Sequence, residues 1–137
     1  MVKYVASCAD KENGICRTTV SNGGRQYTGI AKLADGDNWS EIFGCRIAEL
    51  RATVSALNDV IDTKRMELKA IENFLKASNC YKNFDSNSAT AACLYRQVNR
   101  KKKEILKLKE QRAGLKKFII DSIEMREKIE KRITNKK

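Results

Sequence analysis

The chain has 137 residues, with 28 Lys or Arg against 17 Asp or Glu, a net charge of +11, no His and no Pro. That length is one ordinary domain, and the lack of His removes the commonest general base and the commonest zinc partner. The five cysteines (Cys8, Cys16, Cys45, Cys80 and Cys93) are odd in number and have no CxxC spacing, so they read as free, reduced thiols.

Residues 1–33 read as three short strands. Val2 to Ala6 is β-prone and leads into a turn cluster, Asp10-Lys11-Glu12-Asn13-Gly14, whose Asn-Gly pair is a hairpin signal. Ile15 to Val20 is the return strand. Ser21-Asn22-Gly23-Gly24 is a second turn, and Gln26 to Ala31 is the third strand. An antiparallel meander this small needs a helix against one face. Nothing in Met1-Val2-Lys3-Tyr4 suggests a targeting peptide, and no apolar run reaches membrane-spanning length. The expected location is the cytoplasm, with no membrane partner.

Asp35 to Asn38 closes the sheet region. Asn38 with Glu41 three residues on fits a capping box, so the first long helix is expected from about Trp39 to Ala77 or Asn79. Ile47, Leu50, Val54, Leu57, Ile61, Leu68, Ile71 and Leu75 recur in steps of three and four, broken only by Lys64. This is a heptad seam. Gly44 costs about 1 kcal/mol relative to Ala in a helix, unless the sheet packs closely against it.

Residues 79–87, rich in Asn and Ser, are the one credible break. Ser86 or Ser88 caps a second helix running to about Ile133, with residues 134–137 fraying. Its seam is Leu94, Val98, Ile105, Leu108, Leu115, Ile119, Ile129 and Ile133. Lys101, Arg112, Ser122 and Arg126 occupy apolar positions within it. The fold class is therefore α+β: an N-terminal β-meander over residues 1–36, then a coiled-coil-like antiparallel two-helix hairpin over residues 37–137. Two helices make a thin core, so a homodimer or larger homo-oligomer is expected. A charged residue in a seam is expensive unless paired, which makes Lys101 and Arg112 candidates for a polar pocket between protomers, or for side chains that reach past the seam to water.

Charge is uneven. Residues 94–137 hold 16 basic and 6 acidic residues, while residues 1–93 hold 12 and 11. The densest run, residues 100–117, carries 9 basic and 2 acidic residues. Such a run suits a polyanion and gives a second-choice reading as a coiled-coil nucleic-acid-binding or protein-inhibiting module. The run contains no Tyr or Trp for base stacking, and its cations point all around the helix. No catalytic motif is present, and Cys45 and Cys80 read as small apolar residues rather than nucleophiles. The chain reads as a non-enzyme without cofactor or metal.

One constellation fits a nucleotide. Arg96 and Arg100, four apart, share a helix face with Asn99 beside them, and Tyr81, Phe84 and Tyr95 lie close in sequence. Two guanidiniums clamp phosphate, a ring stacks on a base and an amide reads a base edge. The Gly23-Gly24-Arg25 turn could offer amides and a guanidinium to another phosphate.

The short meander, the helix start Trp39-Ser40-Glu41-Ile42-Phe43-Gly44-Cys45-Arg46-Ile47-Ala48-Glu49-Leu50-Arg51-Ala52 and two long basic helices resemble the first-described Thoeris anti-defence family of phage proteins, which are cyclic-nucleotide sponges. The resemblance covers the architecture of the whole chain and, locally, residues 39–52. It implies a non-enzymatic protein that assembles from dimers in the infected bacterial cell. Such proteins hold cyclic ADP-ribose signals, in some members cyclic trinucleotides, between protomers. It assigns base stacking to Phe84 and phosphate and base contacts to Arg96, Asn99 and Arg100, with Arg25 and Arg51 as further contacts.

Overall fold

The computed structural model describes residues 2–32, 40–78 and 89–135. Three strands, β1 (Lys3–Asp10), β2 (Ile15–Asn22) and β3 (Arg25–Lys32), form an antiparallel sheet in sequence order. Two helices follow, α1 (Glu41–Ser78) and α2 (Ala89–Asn135). The α+β reading of the sequence is the observed class.

Both hairpin turns have the chemistry their residues suggest. At the first, Asn13 donates through its backbone N and its Nδ2 to the Asp10 carboxylate, at 3.3 and 2.6 Å. Those bonds hold the Asp10 carboxyl below its usual range. At the second, Gly23 and Gly24 both have positive φ, 59° and 80°, which the two-residue turn matched to strand twist requires. Asn22 pairs directly with Arg25 across it. Strand β1 runs four residues past Ala6, β2 two residues past Val20 and β3 one residue further at each end than the apolar pattern indicated, and β1 carries a bulge between Tyr4 and Ala6.

The chain divides into two compact units, residues 1–58 with 112–137, and residues 59–111. In the first, alternation on β2 buries Cys16, Thr18 and Val20 against α1. The helix answers with small residues. Gly44, Ala48 and Ala52 recur every fourth position, and Ala48 and Ala52 are fully buried. Gly44 meets the Cys16 side chain, so the sheet does pack on it. Thr18 Oγ1 donates to the Cys45 carbonyl at 3.1 Å, which satisfies the buried hydroxyl. On an adjacent face of α1, Ile47, Leu50 and Val54 form the core with Ile119 of α2, and Leu115 and Ile123 pack around them.

Asn38 lies outside the described residues. The cap seen is Ser40, whose Oγ accepts from the Phe43 N at 3.3 Å and whose carbonyl accepts from the Gly44 N at 2.9 Å. The expected caps Ser86 and Ser88 also lie outside the described residues, as does the side chain of Ile133. Helix α2 continues through Asn135, past the fraying point expected at Thr134.

In the second unit the two helices pair through Ile61, Leu75, Val98 and Ile105, all buried. Lys64 meets Glu104 at 3.0 Å and Lys101 meets Glu67 at 2.6 Å, so the segments run antiparallel within one chain. One seam assignment fails: Ile129 is 48% exposed, because the inward positions near it are taken by Ile123, Arg126 and Glu130.

Candidate functional site

The polar residues of the α2 seam are satisfied inside the chain. Lys101 Nζ donates to Glu67 Oε2, and this bond and charge hold the Glu67 carboxyl below its usual range. Arg112 Nη1 donates to Asn58 Oδ1 at 2.8 Å. Lys101 and Arg112, the charged residues in the seam, therefore both have partners within the chain. Residues 34 and 54 positions away supply their partners. Ser122 is half-buried. The Arg126 guanidinium stacks on the Phe43 ring at 4.6 Å and pairs with Glu130 at 3.2 Å.

A cavity of about 140 Å³ opens between the rim of the sheet and both helices of the first unit, with Lys32, Phe43, Ile47, Arg51 and Arg126 in its wall. It was not legible in the sequence, because its lining joins β2, β3 and α1 to residues of α2 about 70 positions or more further along the chain. It is smaller than the roughly 300–1,000 Å³ of small-molecule sites. Its guanidiniums are also engaged: Arg51 Nη1 donates to the Ile30 carbonyl at 2.7 Å, and Arg126 is held by Glu130. Arg51 thus ties α1 to strand β3. At this volume the cavity is too small for a nucleotide.

The other predicted residues fall as follows. Arg25 is exposed at the start of β3, beside the Gly23-Gly24 turn. Arg96, Asn99 and Arg100 are exposed together in the second unit, on the first turns of α2. Arg96 Nε donates to the Ala92 carbonyl at 3.3 Å, laying the guanidinium along the helix. Tyr95, 43% exposed, flanks the same surface. Phe84 and Tyr81 lie outside the described residues. The helical repeat thus brings Arg96, Asn99 and Arg100 to one surface as expected, whereas Arg25 and Arg51 belong to the sheet-bearing unit.

The acidic residues explain why Arg96 and Arg100 stay available. Glu67, Glu72 and Glu104 are taken by Lys101, Lys102 and Lys64. Among the described residues no ion pair reaches Arg96 or Arg100. Two guanidiniums one turn apart, with an amide between them, can grip an anionic phosphate group. Among the described residues no group of His, Cys, Asp or Glu is arranged to hold a metal, and no helix is long and apolar enough to cross a membrane.

Comparison with known proteins gave no match: no family model, no curated protein and no solved structure is significantly similar to this chain.

Proposed function

We propose that this chain is a phage anti-defence protein that binds and sequesters cyclic nucleotide immune signals, cyclic ADP-ribose isomers or cyclic oligonucleotides, without cleaving them. The observation that carries the reading is the exposed Arg96–Asn99–Arg100 set, free of ion pairs among the described residues and so open to phosphate. The order of elements, a three-stranded sheet and then two long helices, agrees with the family resemblance read from the sequence. In this reading Phe84 stacks on a base, Arg96 and Arg100 hold phosphate, and Asn99 contacts a base edge. The protein acts in the cytoplasm of the infected cell.

The reading includes a homodimer or larger assembly. Support comes from a row on α2, Phe118, Ser122, Met125 and Ile129, in steps of four, three and four. Phe118, Met125 and Ile129 of that row are 53, 62 and 48% exposed. Apolar side chains repeating at that spacing on an open helix face match a helix-pairing surface.

The test is to incubate the purified protein with cyclic ADP-ribose isomers and cyclic oligonucleotides, wash it, denature it by heat and identify what is released by mass spectrometry. Release of an intact nucleotide in near-stoichiometric amount supports the reading. Release of hydrolysed product, or retention of none of the panel, overturns it.

A further inference from the structure

The dense basic run of α2 separates into two faces once its partners are known. Lys101 and Lys102 turn toward α1, where Glu67 and Glu72 neutralise them. Arg96, Arg100, Lys103 and Lys107 are spaced four, three and four, and all are exposed. At 3.6 residues per turn they fall within about a sixth of the helix circumference, opposite the buried Val98 and Ile105. None of the four is in an ion pair among the described residues.

These four cations form a straight row about 16 Å long, advancing about 6, 4.5 and 6 Å per step. Like charges at these spacings repel one another and destabilise the helix. A string of phosphates laid along the row would turn that repulsion into attraction and release counterions. We infer that the Arg96–Arg100–Lys103–Lys107 face of α2 is a track for the sugar–phosphate backbone of a single-stranded nucleic acid.

Two features favour a single strand over a duplex. The row is straight and confined to one face, whereas a strand of B-DNA advances only about 3.4 Å per phosphate along the axis and winds away. The helix also carries Tyr95 on the flank of the row, 43% exposed and four residues before Asn99, where an unpaired base can stack. Contacts to phosphate carry no sequence information, so the four cations hold the backbone whatever the bases. The track shares Arg96 and Arg100 with the proposed signal site. Lys103 and Lys107 belong to the track alone.

The experiment measures binding of labelled oligothymidylate to the full chain by fluorescence anisotropy across a salt series. Four phosphate contacts predict a slope of log K against log salt of about −2.8. The double variant Lys103→Gln/Lys107→Gln should halve it to about −1.4 and weaken binding, with helix content unchanged by circular dichroism. Retention of cyclic nucleotides should be unaffected by this variant, which separates failure of the track from failure of the sponge reading. The control Lys3→Gln/Lys11→Gln removes the same charge from the sheet and should leave the slope intact. An unchanged slope in the Lys103/Lys107 variant, an equal loss in the control, or tighter binding to a duplex of the same length would each overturn the inference.

Discussion

A Cβ built on Gly29 would fall on the carbonyl oxygen of Ala48 and on the backbone N of Ala52. Strand β3 and helix α1 therefore meet backbone to backbone, and the small residues at 48 and 52 allow it, as Gly44 does for Cys16 of β2. Gly29→Ala must push the sheet off the helix. Overpacking of this kind costs about 1–3 kcal/mol, and here backbone rather than a flexible side chain has to move. Urea denaturation should show a clear fall in midpoint. Gly24→Ala meets no neighbouring atom but sits at φ 80°, so its cost is conformational strain alone and confined to the turn.

The Arg112–Asn58 bond makes a second prediction. Arg112→Ala removes the donor to a half-buried amide oxygen and leaves a gap in the seam, costing about 1 kcal/mol or more. Arg112→Leu leaves the same amide unmatched but completes the apolar row, so it should be the less damaging change. The comparison of the two denaturation midpoints checks this order.

Cys16 gives a pH dependence. Burial first, and then the neighbouring Cys45 thiol, push its pKa up to about 11 from an ordinary value of 9.0. The unfolded chain ionises this thiol before the folded chain does. Its contribution to stability is therefore complete below about pH 9 and lost as pH rises from 9 toward 11. Cys16→Ala should flatten the fall in stability over that window relative to the parent. Alkylation at pH 8 followed by mass spectrometry should label the exposed Cys8 and Cys93 well before Cys16.

Glu67 behaves in the opposite sense. Its depressed pKa, due to Lys101, adds stability above the ordinary carboxylate range that is lost as pH falls through it. Because the pair is exposed, the loss should be small and weakened by salt. Glu67→Gln should remove that salt dependence, measured as the change in midpoint between low and high salt.

Arg96→Ala and Arg100→Ala test the signal site. Loss of one charge-assisted contact to phosphate costs about 1.5–3 kcal/mol, or roughly ten- to a hundredfold in Kd. Both variants should keep parental helix content, since both side chains are exposed. Retention of a cyclic nucleotide at parental affinity by both variants would remove them from the site.

Much of the fold could be read from local pattern. The Asn-Gly and Gly-Gly turns, the strand alternation at Cys16, Thr18 and Val20, and the heptad steps from Ile47 each depend on neighbours a few residues away. Those signals are geometric consequences of the strand and helix repeats. The same repeat placed Arg96 and Arg100 on one face. The cavity wall was not legible, because Lys32, Arg51 and Arg126 meet only after three elements pack. Nor was the role of Arg51, whose bond to the Ile30 carbonyl spans 21 residues.

The sequence by itself determined the elements, their order and the excess of cations on α2. Periodicity and turn chemistry act over one or two turns of chain, and every residue they need is adjacent. Only the tertiary structure decided which cations are spent and which remain. That depends on the antiparallel pairing of α1 and α2, which sets Glu67 against Lys101 and Glu72 against Lys102, and so leaves Arg96, Arg100, Lys103 and Lys107 facing outward together.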